Sequence, residues 1–423
     1  MVADGWIDAP PRRPRSALSR LRILVLGYVV RGPLGGLVWH HLQFVLGLKD
    51  LGHEVYFLED SDDYPACYDP LTGATGTEPA YGLGFLDRTF RSVGLGDRWA
   101  YCDAHSGRRY GPCAGRIPDL CASAELLVNL SGMNPLRPWM LGVPARAFVD
   151  TDPVFTQIRH LTDPVWRRRA CEHTAFFTFG ENLRHRDGGV PDDGLPWQPT
   201  RQPVVLRAWP ATPAPANGRL TCVMQWDSYP PAVYQDHSFG MKSRSFAPYL
   251  ELPARTHAGL ELALGGASAP RALLARNGWA LRDSLQVTRS AWRYRRYLQR
   301  SKAEFGIAKH GYVAARSGWF SERSVNYLAS GRPVLVQETG FSDWLDSGIG
   351  VIPFSTPETA IAGIHEIEGR YRLHCEAARA IADAYFRAPK VLTSLIERSL
   401  SASPRPETPA ECRGCRPHST EQQ

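Results

Sequence analysis

The stretch 301–354, SKAEFGIAKHGYVAARSGWFSERSVNYLASGRPVLVQETGFSDWLDSGIGVIPF, holds the densest set of residues suited to gripping a phosphate. A loop, RSGWFSER, leads into a helix, SVNYLAS. A helix beginning near Ser321 presents unpaired amides and a positive dipole end, and glycine at 318 lets an anion come close to the chain. Ser317 and Ser321 can donate to phosphate oxygens, while Lys309 and Arg323 supply charge-assisted hydrogen bonds. The same residues admit plainer uses, Ser321 as an N-cap and Arg323 as a solvated side chain. A second basic set lies in QWDSYPPAVYQDHSFGMKSRSF, where Lys242 and Arg244 alternate. An extended loop would point both to one side; a solvated basic loop is the alternative. Glu322 and Asn326 share one helix face, and a carboxylate at 322 suits the hydroxyls of a ribose. For taking a proton from an attacking hydroxyl, Asp150 and Asp152 in FVDTDPVF close a strand and serve as catalytic candidates. Turn formation explains these two aspartates equally well. His41 reads as part of an apolar helix face, and His40 as the more exposed of the pair.

These residues need elements to position them. RILVLGY, from Arg22, is a short apolar run of the kind a buried parallel strand shows. After the loop RGPLGG, the residues Leu37, His41, Phe44, Val45 and Leu48 recur at helical steps, and Gly52 ends that helix. HEVYFLED follows as a second strand, giving a βαβ unit. Residues 67–116 read only as an insertion with some helix. LLVNLSG, ARAFVDTDP and AFFTFGENL then read as successive parallel strands whose C-terminal ends carry function. Residues 184–217, rich in Pro, Gly, Asp and Trp, read as a linker. A second alternating set begins with LTCVMQW as a strand. It continues with LELALGG and PRALLARNG as helix, FGIAKHGYV and RPVLVQE as strands, and 358–386 as helices.

The order of strand, RSGWFSER loop, helix, Gly-Pro turn, strand and ETGF resembles the donor-binding core of GT-B glycosyltransferases. That resemblance implies an α/β fold of two doubly wound, Rossmann-like domains facing an interdomain cleft. It implies an N-terminal acceptor domain at 21–205 and a C-terminal nucleotide-sugar donor domain at 206–402, while composition reads as a disordered leader at 1–20 and a disordered tail at 403–423. The loop and helix start would receive the nucleotide diphosphate, and Thr339 and Gly340 of the ETGF turn would lie beside the sugar. Lys242 and Arg244 would neutralise the diphosphate, and Gly35 and Gly36 would bring amides to it across the cleft. Many relatives of this fold carry glutamate five residues before the glycine of the turn; here Asn326 stands there, a neutral residue that can still hydrogen-bond a ribose. The implied reaction is hexosyl transfer to a hydroxyl of a small molecule or glycan, with no metal and no cofactor. The helix KVLTSLIERSLS would cross back onto the N-terminal domain. A sugar-nucleotide epimerase, a phosphorylase and a non-catalytic nucleotide binder share the fold and stay as alternatives. Glu59 and Asp60 keep a nicotinamide enzyme among the readings, although Gly27, Gly32, Gly35 and Gly36 have the wrong spacing for a dinucleotide fingerprint.

Composition narrows the field. With 423 residues, 43% hydrophobic and 22% charged, the chain suits two domains. Its net charge of +7 comes from scattered arginines without the aromatic interleaving of a base-stacking surface, so no nucleic-acid partner is expected. The first twenty residues lack the apolar core of a secretory signal and no window reaches membrane-span length, so a cytoplasmic location is expected. Nine cysteines argue against a secreted disulfide framework. Cys412 and Cys415 form the only CxxC, with no second pair beside it.

Overall fold

The computed structural model describes residues 20–402 apart from 184–188, 214 and 216–217. The expected leader, tail and CxxC, and part of the expected linker, lie outside the described residues, except for Arg20.

The first half builds strands β1 (Arg22–Leu26), β2 (Glu54–Asp60), β3 (Cys67–Asp69), β4 (Ala74–Gly76), β5 (Trp99–Cys102), β6 (Arg109–Tyr110), β7 (Leu126–Leu130), β8 (Ala145–Asp150), β9 (Ala175–Thr178) and β10 (Gln198–Pro199). All but the β3–β4 hairpin join one sheet in the order β10-β9-β8-β7-β1-β2-β5-β6, parallel except for β6. The second half builds β11 (Leu220–Gln225), a hairpin of β12 (Ala232–Tyr234) and β13 (His237–Phe239), then β14 (Leu260–Gly265), β15 (Ala280–Asp283), β16 (Ala303–Gly306), β17 (Val334–Gln337) and β18 (Val351–Phe354). Apart from the hairpin these form a parallel sheet, β15-β14-β11-β16-β17-β18. In each sheet the chain winds outward from the first strand and returns on its other side. The winding reverses between β1 and β7, and between β11 and β16. Parallel α/β sheets bind ligands beyond the strand ends at such switch points.

Three sequence expectations change. LELALGG is the strand β14, not a helix: six residues closed by glycine are too few for a packed helix and suit a strand flanked on both sides. The 303–314 segment leaves its strand at Gly306 and forms a short helix, His310–Ala314. Residues 67–116 hold the sheet strands β5 and β6 as well as the helix Ala80–Ser92.

The helix Gly35–Asp50 is buried along its whole length from Val38 to Leu48 rather than on one face, because two other helices cover its outer side. His40, expected to be exposed, is therefore only 6% exposed. One cover is the helix Ala291–Arg300, whose Ala291 carbonyl accepts from Trp39 Nε1 at 2.7 Å. The other is the helix Ala388–Ser401, which crosses back from the second half as the resemblance implied. Its Leu392, Leu395 and Ile396 are fully buried, and a Cβ at Gly47 would lie 2.5 Å from Leu392 Cδ1. Truncation at Pro389 would uncover this apolar face, so the shortened protein should lose its cooperative melt and aggregate in size-exclusion chromatography. An unchanged melting curve would show that the returning helix contributes nothing to the fold.

Candidate active site between the two sheets

The loops after β11 and β16 flank the second switch point. The first ends in a short helix, Lys242–Phe246, and this changes the expected pairing of its cations. Two residues apart on a helix, Lys242 and Arg244 face different ways. Lys242 turns inward and half-buried; Arg244 is exposed, with Nη1 3.3 Å from the Ser238 carbonyl. Lys242 makes no hydrogen bond to a described residue. Burial, followed by the nearby charge of Arg323, pushes its ammonium down to about 8, and Lys309 and Glu322 also lie within electrostatic reach.

The helix Glu322–Ala329 starts at this point, with Ser321 as N-cap accepting from the Arg323 amide at 3.2 Å. Arg323 turns beneath the helix instead of into solvent. Its Nε donates to Glu304 Oε1 at 2.6 Å and its Nη1 to the Val223 carbonyl at 2.9 Å. Glu322 lies within electrostatic reach of Tyr28, His40 and Tyr294. Asn326, on the same helix, is 2% exposed; its Oδ1 accepts from Gln43 Nε2 at 2.9 Å, while Gln43 Oε1 accepts from the Val205 amide at 2.7 Å. Asn326 thus stitches the two halves together and does not face a ribose.

The glycines expected near phosphate are closed over by protein. A Cβ at Gly35 would lie 2.5 Å from the Ser290 carbonyl, and one at Gly36 3.1 Å from the Tyr294 ring. The diglycine therefore lets two helices touch across the cleft. Gly318 and Gly340 both have positive φ, 74° and 91°. Asn182, from the loop after β9, fills the space beside them: its Nδ2 donates to the carbonyls of Gly340 (2.9 Å) and Arg316 (3.1 Å), and its own amide to the Ser317 carbonyl (3.2 Å). The Ser317 hydroxyl is fully buried, and Thr339 Oγ1 donates to the Trp319 carbonyl. The gap beneath the helix start, lined by Ile307, Ser321, Ser324, Gln337 and Thr339, has room for little more than one water.

Lys309 reaches across the cleft. Its Nζ donates to Asp152 Oδ1 at 2.8 Å and to the Tyr229 hydroxyl at 2.6 Å, and lies 4.4 to 5.4 Å from the ring centres of Tyr229, Phe155 and Tyr312. Tyr229 and Tyr312 both donate to Asp152. Burial raises the Asp152 pKa, but the Lys309 charge and these hydrogen bonds outweigh it and hold the carboxyl below its ordinary value. Asp150 has a different part. It is fully buried, and its oxygens accept from Thr156 Oγ1, the Asp152 amide, Thr178 Oγ1 and Gln157 Nε2, at 2.7 to 3.2 Å. No oxygen of Asp150 is left for a substrate; it braces the turn that presents Asp152.

Sequence reasoning missed Asn182, Gln43, Tyr229 and Tyr312. The helical spacing that places Gln43 beside the core positions of its helix was the only local sign of any of them.

A doubly wound pair of sheets with facing switch points, tied by a returning C-terminal helix, is the GT-B fold of glycosyltransferases. The chain is similar in structure to AviGT4, a glycosyltransferase involved in avilamycin A biosynthesis, with TM-score 0.51, 15% identity, and coverage of 90% of this chain and 97% of that one. It is similar to an alpha-glucosyltransferase solved with UDP and a 13-mer DNA (TM-score 0.54, 9% identity, 90% and 100% covered). It is also similar to HepE of Anabaena solved with UDP and glucose (TM-score 0.51, 10% identity, 89% and 99% covered). No protein-family model matches the sequence, and no curated protein matches it. One of these neighbours was solved holding DNA, so the expectation of no nucleic-acid partner draws no support from them. Among the described residues no helix is long and apolar enough to cross a membrane.

Proposed function

We propose that this chain transfers a sugar from a nucleotide-diphosphate donor to a hydroxyl of a small-molecule or glycan acceptor. The observation that carries the reading is Lys242. Of the three cations gathered at the second switch point, Lys309 is bonded to Asp152 and Arg323 to Glu304, while Lys242 makes no hydrogen bond to a described residue. An ammonium held half-buried beside the start of the 322–329 helix suits a diphosphate, whose charge grows as the sugar leaves. On this reading Lys242 and the helix amides stabilise the leaving group without a metal, and Glu322 lies at the sugar side. Lys309 exchanges Asp152 for the diphosphate, which frees that carboxylate to take the acceptor's proton. The domain boundary falls near 205/206, between the last strand of one sheet and the first of the other, and the setting is cytoplasmic.

A non-catalytic nucleotide binder is the second reading, favoured by the commitment of Asn326 to Gln43. Thermal-shift titrations with UDP, dTDP, GDP and ADP, followed by a donor-hydrolysis assay, separate the two. The transferase reading expects one diphosphate to raise the melting temperature and the matching nucleotide sugar to be consumed. Binding without consumption would leave the non-catalytic reading, and no response to any of the four would remove both.

A further inference from the structure

We propose that Arg31 forms an acceptor subsite for an anionic group, a phosphate or a carboxylate, at the switch point of the first sheet. The word acceptor rests on the transferase reading; the anion site itself does not. Arg31 lies in the turn after β1, and its Nη2 donates to the carbonyl of Met133, in the loop after β7, at 3.1 Å. These are the two strands between which the first sheet reverses, where α/β sheets take their ligands. The residue is 4% exposed, yet its Nε and Nη1 have no hydrogen-bond partner among the described residues.

Of the neighbouring acids, Asp60 and Asp62 are committed elsewhere, and Glu59 forms only a long ion pair with Arg31. Glu59 approaches Arg31 Nε only to 3.6 Å, and its oxygens accept from the Val30 amide at 2.7 Å and the Arg31 amide at 2.8 Å. Burial pushes the Glu59 carboxyl up to about 7, against the pull of Arg31 and of the backbone amides it accepts from. Asp62 is held by both terminal nitrogens of Arg169, at 2.7 and 2.9 Å, and Asp60 by Arg137 at 2.8 and 3.0 Å. A buried guanidinium at the strand-end switch point, with two nitrogens unmatched by hydrogen bonds among the described residues, is matched best by an oxyanion.

From the same place a line of hydroxyls runs toward the catalytic candidate. Tyr28 OH lies 3.0 Å from Ser131 Oγ, and Ser131 Oγ lies 2.6 Å from Thr151 Oγ1, next to Asp152 in sequence. An acceptor anchored by its anion at Arg31 would lay its hydroxyls along Tyr28, Ser131 and Thr151 with one of them near Asp152.

The test is calorimetry on the full-length protein saturated with UDP, titrated with inorganic phosphate, glucose 6-phosphate, glucuronate and glucose. At least one anion should bind tenfold or more tightly than glucose, by the usual strength of a charge-assisted hydrogen bond. Phosphate compounds binding without glucuronate, or the reverse, would tell which oxyanion is read. Arg31→Gln should reduce that anion to the level of glucose, Arg31→Lys should keep part of the gain, and UDP binding should be unchanged in both. Wild-type protein that binds no anion better than glucose overturns the proposal, whatever the variants do. Anion binding lost in Lys242→Ala but kept in Arg31→Lys and Arg31→Gln also overturns it, because the anion would then occupy the diphosphate site. If UDP itself fails to bind, the donor reading falls and the same titrations on the free protein still judge Arg31.

Discussion

Lys242→Met is expected to raise the melting temperature of the free protein while weakening its response to a nucleoside diphosphate. Both effects come from one feature, an ammonium half-buried without a hydrogen-bond partner among the described residues. Burial and then Arg323 push it from an ordinary 10.5 to about 8 in the fold. Between about pH 8 and 10.5 the unfolded chain therefore binds more protons than the folded one, and stability rises with pH across that window. At pH 7 the lysine is charged in both states and its burial is unfavourable in the folded one, so an apolar side chain of similar length relieves that strain. The diphosphate needs the charged form. Losing one charge-assisted contact should weaken UDP by about 2 kcal/mol, roughly thirtyfold in Kd. In wild type the affinity should fall as pH rises through about 8, and in Lys242→Met that dependence should be absent. Thermal-shift titrations from pH 6.5 to 9.5 read all three effects. An unaltered UDP response in the variant would mean that the diphosphate is held elsewhere.

The architecture was legible because its signals are local. Apolar runs such as RILVL and LLVNL, rich in Val, Leu and Ile and closed by glycine or polar loops, suit buried strands, and alternation with helical periods gives the parallel sheets. LELALG failed because a six-residue apolar run carries no period that separates strand from helix. The site was harder, since what each polar residue does is decided by partners far along the chain. Nothing near Asn326 announces Gln43, 283 residues away, and nothing near Gly318 or Gly340 announces Asn182. The Lys242 and Arg244 pairing failed on a single local choice, a helix start at Lys242 where an extended loop was expected, which sent the two cations apart. Asp150 and Asp152 share a motif, yet the end of β8 seals one carboxylate and aims the other across the cleft. Separating them required the strand's position in the sheet as well as its sequence.

Asp152→Ala should be among the most damaging single substitutions in the chain, because that carboxylate is the acceptor for three groups from the opposite half, Lys309, Tyr229 and Tyr312. Removing it leaves the Lys309 ammonium enclosed by three aromatic rings with no counter-charge. The cation–π attraction of those rings supports the ion only partly. A loss of about 3 kcal/mol follows by the usual cost of breaking a largely buried ion pair from one side. Lys309→Met alone should cost less, since Asp152 keeps both tyrosine hydroxyls, and the double variant should cost well below the sum of the two, the mark of residues that act together. Because the Asp152 carboxyl is held below its ordinary value, the stability it supplies is present at neutral pH and is lost on acidification below about 4. Urea melts of the four proteins at pH 7 and at pH 3.5 measure both the coupling and its pH dependence. Strictly additive losses at pH 7 would dissolve the cross-cleft staple. They would also remove the exchange of Lys309 from Asp152 to the diphosphate, because a carboxylate not held by Lys309 has nothing to be released from when the donor arrives.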